Sequence, residues 1–253
     1  MYRIVSLLGV MGWLIAAPAL ASTGATEPKQ MDWAFDGVFG KFDQPSIQRG
    51  MQVYKEVCSS CHSLNRVPFR KLQDAGFSEA EVKSLAASYT VKDGPNDMGE
   101  MFERPGRPSD KFPAPYANDN AARAANGGAL PPDQSLLVKA REDGANYIYS
   151  LLTGYGATVP EHHEVPQGSY YNPYFPGGNI KMMPPLHEDG VTYQDGTKAT
   201  VDQQAHDIVN FLQWAAEPEM EERKRMGIHV MLFLGAMTCF FYLVKKRVWS
   251  DLH

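Results

Sequence analysis

Apolar and polar positions keep a helical period in five places along the chain and lose it in two long stretches between them. From Ser46 to Val57, Ile47, Met51 and Tyr54 recur at i, i+4 and i+7. Val53 and Val57 widen the stripe, and Arg49, Lys55 and Glu56 lie between; this spacing predicts an amphipathic helix. Gly50 and Tyr54 share one face, where a missing side chain lets a second helix approach. Ser78 and Glu81 form a capping box, and Val82, Leu85 and Ala86 give the short helix behind it an apolar side. Leu136, Leu137, Ala140, Tyr147, Ile148 and Leu151 predict a helix from about Asp133 to Leu152, with Gly144 as its weak point. Asp195-Gly196 predicts a small hairpin within Val191 to Lys198. Thr200 and Gln203 form a second capping box. It opens a helix with Ala205, Ile208, Val209, Leu212 and Ala216 on one side, ending near Glu217-Pro218. This helix is the expected partner of Gly50.

The fifth periodic region is apolar all round. Met226 to Val244 is 19 residues without a formal charge when His229 is neutral. As a helix it spans ~28 Å, enough for the hydrocarbon core of a bilayer. Arg223-Lys224-Arg225 and Lys245-Lys246-Arg247 bracket it, a tie that leaves orientation unset by charge. Residues 1–21 set it instead. Arg3, the apolar run Ile4 to Ile15 and Ala19-Leu20-Ala21 read as a secretory leader cleaved after Ala21. The expected division is a leader at 1–21, a globular domain at 22–218 outside the membrane, and an anchor at 219–253 whose membrane segment is 226–244.

The two aperiodic stretches are rich in chain-breaking residues. Gly or Pro fills 12 of 39 positions from Gly94 to Pro132 and 12 of 38 from Thr153 to Gly190. Loops this long in a compact domain need an organiser. Disordered segments lack aromatics, whereas Phe102, Phe112, Tyr116, Tyr155, Tyr170, Tyr171, Tyr174 and Phe175 punctuate these. The fold class expected is therefore mainly α with long irregular loops, wrapped around a large buried cofactor.

Composition narrows the chemistry. A formal charge of −5 argues against nucleic acid, which wants a basic face, and suits a basic protein partner. Of three cysteines, Cys239 lies in the apolar run, while Cys58 and Cys61 stand in Cys58-Ser59-Ser60-Cys61-His62. Three cysteines exclude an iron–sulfur cluster held by four on this chain, and no second ligand pair marks a structural zinc site. Two thiols three positions apart and a histidine directly after them form the attachment motif for one covalent c-type haem, with His62 as the first axial ligand of the iron. The rivals are a thiol–disulfide protein using Cys58 and Cys61, and an enzyme whose haem keeps an open coordination site.

An electron carrier needs a sixth ligand. Most methionines lie in the leader, in the membrane run or too near the haem motif. Met182-Met183-Pro184-Pro185 stands apart, after Pro176-Gly177-Gly178 and backed by two prolines that stiffen the loop. On residue chemistry the Met182/Met183 pair leads, with His162 or His163 as the alternative and Met98 or Met101 behind them. The bland fate of any one methionine is core packing.

The assembled motifs resemble the cytochrome c1 family, the haem-bearing subunits of quinol:cytochrome c oxidoreductase (the cytochrome bc1 complex), in a bacterial form. Besides the haem motif, the resemblance rests on Arg49-Gly50-Met51-Gln52-Val53-Tyr54, Val67-Pro68-Phe69-Arg70, Gly99-Glu100-Met101-Phe102 and Arg104-Pro105-Gly106. It continues through Gly128-Ala129-Leu130-Pro131-Pro132-Asp133, Leu151-Leu152-Thr153-Gly154-Tyr155, Tyr171-Asn172-Pro173-Tyr174-Phe175-Pro176-Gly177 and Trp214-Ala215-Ala216-Glu217-Pro218-Glu219. It covers nearly all of the chain after the leader. The resemblance implies a class I cytochrome c-like haem domain, Met182 as the sixth ligand, and Arg141 paired with a haem propionate. It implies partnership with cytochrome b, electrons received from the Rieske iron–sulfur protein, and electrons passed to a soluble or tethered c-type cytochrome. It also implies a bacterial inner membrane with the haem domain in the periplasm and the C-terminus in the cytoplasm. The chain would be a redox subunit and not an enzyme by itself.

Overall fold

The computed structural model describes residues 25–250; the proposed leader lies outside them. The core is built on two crossed helices. Helix α1 (Gln44–Val53) starts with Pro45 in its first turn and buries Ile47, Gly50, Met51 and Val53. It runs on into a π-helical turn, Tyr54–Cys58, that delivers the haem motif. Its counterpart comes much later in the chain, after β1 (Thr90–Asp93), β2 (Phe102–Pro105), the short helices α2 (Glu79–Ala87) and α3 (Asp119–Ala125), α4 (Gly144–Thr153), and the two-residue strands β3 (Tyr170–Tyr171) and β4 (Asn179–Ile180). This is α5 (Val201–Ala216), capped by Thr200, whose Oγ1 accepts from the Gln203 N–H at 3.1 Å.

Helices α1 and α5 meet at Gly50, as the sequence leads one to expect. A Cβ there would stand 2.0 Å from the Asp207 carbonyl oxygen. Beside the crossing, the buried Asp207 carboxylate accepts from Ser46 Oγ (2.6 Å), Arg49 Nε (2.8 Å) and Nη2 (3.0 Å), and Gln203 Nε2 (3.0 Å). Arg49 also reaches Asp195 at 2.9 Å. Burial opposes the Asp207 charge, but the surrounding donors outweigh it and hold its pKa at about 2. Around this joint, Tyr54, Phe69, Phe112 and Phe211 form an aromatic cluster, with Phe69 and Phe112 centroids 4.3 Å apart.

The capping box of Ser78 and Glu81 forms in both directions ahead of α2. The helix expected from Asp133 does not. Residues 134–143 fold as turns, and α4 begins only at Gly144, after Asp143 and Gly144 both take positive φ (57° and 42°). The reason is that Asp133, Gln134 and Ser135 spend their polar groups on residues 63–66, as described below, instead of on a helical ladder. The hairpin expected at 191–198 is likewise absent. The Gly196 N–H closes a turn onto the Tyr193 carbonyl (3.3 Å), and Val191 and Tyr193 bury themselves in the core instead of pairing as strands. Conversely, the first long loop opens on an antiparallel hairpin, β1 just before it pairing with β2 inside it, clamped by Arg104 against Asp93 and Asp110.

Helix α6 (Met220–Val248) contains the apolar stretch 226–244 and is long and apolar enough to cross a membrane. Its first turns belong to the globular unit. Met220 is buried, Lys224 Nζ donates to the Phe35 carbonyl at 2.6 Å, Glu221 accepts from the Phe42 N–H at 2.9 Å, and Glu219 pairs with Lys71 at 2.8 Å.

Candidate haem site

The π-turn after α1 carries Cys58, and the chain then folds back tightly. The His62 N–H returns to the Cys58 carbonyl (2.9 Å), and Tyr54 Oη donates to the His62 carbonyl (3.1 Å). Cys58 and Cys61 are free thiols, both half-buried. Burial, with Cys61 alongside, pushes the Cys58 thiol up to about 12.

His62 Nδ1 lies 2.8 Å from the Pro132 carbonyl. A carbonyl only accepts, so Nδ1 carries the proton and Nε2 keeps a free lone pair, the arrangement that orients a metal-ligating imidazole. Burial pushes the His62 pKa down and keeps the ring neutral. The segment that supplies Pro132 is stapled to the motif. Asp133 accepts from Ser63 Oγ (2.8 Å), the Asn65 N–H (2.8 Å) and the Ser135 N–H (2.9 Å). The Gln134 N–H donates to the Ser63 carbonyl (2.8 Å), and the Arg66 N–H to Ser135 Oγ (3.0 Å). Burial works against the Asp133 charge, yet these donors hold its carboxyl below the usual value. The irregular stretch where a helix was expected is therefore the clamp that aims His62.

A second group of residues surrounds Met182. β3 pairs with β4 just ahead of it. Asn172 ties the loop to α4 by donating from Nδ2 to the Leu151 carbonyl (2.8 Å). Met182 is half-buried and its carbonyl accepts from Tyr155 Oη (3.0 Å), whereas Met183 is 64% exposed. Pro184 and Pro185 follow, and Leu186 is buried behind them. The His163 ring is already engaged, with Nε2 3.0 Å from Asn179 Oδ1 and its edge on Tyr171. Met98 and Met101 stand out in solvent on the hairpin, 79% and 64% exposed.

Arg141 lies in the turns before α4 and not in a helix. Its Nη1 donates to the Ala140 carbonyl (2.9 Å), and among the described residues it makes no ion pair with a protein carboxylate. Its charge reaches the Tyr147 hydroxyl, whose pKa burial raises and Arg141 lowers. Tyr147 in turn acts on Tyr155. Tyr155 reaches Met182 through its hydroxyl, and residues 132–143 run along the chain from the clamp at Pro132 and Asp133 to Arg141.

The residues fit a covalent haem. They offer two free thiols, one neutral imidazole with Nε2 available, a half-buried thioether on a stiffened loop and an unneutralised guanidinium. One nitrogen and one sulfur as the protein's ligands suit an iron already held by a porphyrin. Sequence reasoning did not find Pro132 and Asp133 as supports of His62, nor Tyr155 as the support of Met182. The signal for the first was an Asp directly after two prolines, a carboxylate free to accept from neighbouring backbone and hydroxyl donors where the prolines bar a helical start.

A profile of the Cytochrome C1 family matches residues 33–252. The chain is 49% identical to cytochrome c1 of Rhodospirillum rubrum, over 94% of this chain and 93% of that protein. It is 50% identical to a protein of Bradyrhizobium diazoefficiens named cytochrome b/c1, covering 93% of this chain but 37% of that longer protein. It is 49% identical to the mitochondrial cytochrome c1 haem protein of Saccharomyces cerevisiae, over 87% of this chain and 71% of that one. The chain belongs to the cytochrome c1 family, whose members carry a covalent c-type haem.

Proposed function

We propose that this chain receives single electrons from the Rieske iron–sulfur protein and passes them to a c-type cytochrome, within a cytochrome bc1 complex whose cytochrome b lies beside its anchor. The family makes it a haem electron-transfer subunit of that complex. The partners and route are our reading. The pairing of b with c1 in the name of the Bradyrhizobium relative supports the cytochrome b contact. The observation that carries the relay is the His62 ring, locked through Nδ1 onto Pro132 with Nε2 free beside two unpaired thiols.

In this reading Cys58 and Cys61 would hold the haem through thioether bonds to its vinyl groups, His62 and Met182 would ligate its iron, and Arg141 would pair with a propionate. When bound, the haem supplies a one-electron iron couple. The chain's residues do the rest. His62 stays neutral and fixed in direction, so its position survives the change of iron charge. The Met182 thioether favours the lower oxidation state and raises the potential relative to two histidines. Arg141 offsets a partly buried carboxylate with a guanidinium that the protein leaves unspent. The acidic surface steers a basic acceptor, and does so less as salt rises. Residues 1–21 act as a removed leader, 22–218 as the haem domain on the periplasmic side of a bacterial inner membrane, and 219–253 as the anchor with a cytoplasmic C-terminus.

A reduced-minus-oxidised spectrum of the purified chain tests the cofactor, and the lack of a c-type α-band refutes it. For the ligand, Met182→Leu lowers the potential by an amount on the order of 0.1 V or more, within the ~0.8 V that axial ligation commands, and opens the reduced iron to carbon monoxide. Met183→Leu leaves both unchanged. The reverse pattern assigns the iron to Met183.

A further inference from the structure

The loop that carries Met182 is stiffened by its prolines and seated by the buried Leu186, yet its backbone has little hydrogen bonding. Pro184 and Pro185 cannot donate. Among the described residues, the hydrogen bond that reaches the backbone anywhere from Met182 to Leu186 is the one from Tyr155 Oη to the Met182 carbonyl, 3.0 Å across 27 positions of sequence. The donor is itself fixed in place. Tyr155 leaves the end of α4 through Gly154, where a Cβ would stand 2.6 Å from the Tyr174 ring, 2.8 Å from the Ser150 carbonyl and 3.0 Å from Asn172 Oδ1. Asn172 is bonded back to Leu151 of the same helix. A rigid element therefore holds one end of the bond and a loosely bonded loop the other.

We infer that Tyr155 is the positioning residue for the thioether ligand, pinning the Met182 backbone so that the sulfur stays closed on the iron. The inference rests on Met182 being that ligand. It asks nothing of Tyr155 in electron transfer itself. The hydroxyl acts on the balance between a closed loop and one that has released its ligand. Removing one such hydrogen bond shifts a two-state balance by roughly fivefold.

The test uses the full-length chain in its assembled, haem-loaded complex. The oxidised protein is titrated with imidazole, which competes for the sixth position, while the far-red methionine-to-iron charge-transfer band is followed. Tyr155→Phe keeps the ring, so the band is present without imidazole. Imidazole then binds roughly fivefold more tightly than in the parent protein, and the potential falls by less than in Met182→Leu. A purely structural role would move the unfolding midpoint and leave the imidazole affinity in place, and that result overturns the inference. If Met182→Leu retains the band, the ligand reading itself has failed. If Met182→Leu loses it while Tyr155→Phe matches the parent in affinity and potential, the role of Tyr155 alone has failed. Should Tyr155→Phe not assemble, 3-fluorotyrosine at position 155 gives a stronger donor of nearly the same shape. It weakens imidazole binding, and an unchanged affinity counts against the inference.

Discussion

Replacing Gly50 by alanine tests the joint on which the haem motif hangs. Gly50 sits inside α1, and in an isolated helix alanine there would be stabilising by up to ~1 kcal/mol. The structure reverses that sign. The added Cβ would lie 2.0 Å from the Asp207 carbonyl oxygen, 2.6 Å from its carbonyl carbon and 2.8 Å from Phe211 Cβ, against ordinary contact at about 3.5 Å. Two of the three are backbone atoms, so no rotamer change relieves them. The helices must part by more than an ångström, which stretches the 2.6–3.0 Å bonds that Ser46 and Arg49 of α1 make to Asp207. Overpacking costs about 1–3 kcal/mol, and weakening bonds to a buried charge adds ~1–2 kcal/mol. After the propensity gain, the net loss is about 1–4 kcal/mol, a fall of roughly 2–16 °C in the unfolding midpoint for a domain of this size. The assay is thermal unfolding of the haem-loaded chain in detergent, followed by far-ultraviolet circular dichroism. Gly227→Ala on α6, where nothing stands within 4 Å of the added atom, serves as control and does not lower the midpoint. If Gly50→Ala leaves the midpoint where it was or raises it, the contact between α1 and α5 at this position is not as described.

Acid acts on the same joint. The folded Asp207 pKa of about 2 lies below its ordinary value of 3.8. A depressed carboxylate contributes stability that is present above the unfolded pKa and lost as pH falls through the folded one. The unfolding free energy therefore declines by about 2 kcal/mol between pH 4 and pH 2 on account of this group, and Asp207→Asn flattens that part of the profile. Asp133→Ala strands Ser63 Oγ and the N–H groups of Asn65 and Ser135. It destabilises the domain by about 2–4 kcal/mol, whereas a change within 0.5 kcal/mol by denaturant titration would show that Asp133 is not the clamp.

The parts legible in the sequence were those where one local signal sufficed. The periodicity of Ile47, Met51 and Tyr54 gave α1, the Ser78–Glu81 capping box gave the start of α2, Thr200 gave the start of α5 although the Gln203 side chain turns to Asp207 instead of closing a second box, and Gly50 with the stripe on α5 gave their crossing. Misreadings came where tertiary demand overrode local pattern. Leu136, Leu137 and Ala140 carry a helical stripe, yet Pro132 and Asp133 are committed to residues 62–65 across some 70 positions, and no local rule reveals such a pairing. Val191 and Tyr193 alternate as a strand would, but the core takes both. At the site, residue types announced the haem motif and the pair Met182-Met183. The contrast between a half-buried Met182 and an exposed Met183 needed the fold, as did the long reach of Tyr155.

The anchor also changes meaning once its first turns are seen. In sequence, Arg223-Lys224-Arg225 is a basic flank at a membrane surface. In the structure, two of these cations face the domain: Lys224 donates to the Phe35 and Gly40 carbonyls, and Arg223 pairs with Glu217, which Lys139 also reaches at 3.3 Å. Glu219 and Glu221 bond to Lys71 and Phe42, and Met220 is buried among them. Three separate parts of the domain thus hold the first turn and a half of α6 and its N-cap Glu219: the lead-in at 35–42, the 3₁₀ helix Phe69–Ala75 through Lys71, and Glu217 at the end of α5, itself held by Lys139. A helix that enters the membrane directly from such a grip fixes the height and tilt of the domain above it. The haem motif, carried on α1 and bolted to α5, inherits that position. A haem motif held this way keeps a set place relative to the anchor, because the contacts that orient it and those that seat α6 belong to one packed unit.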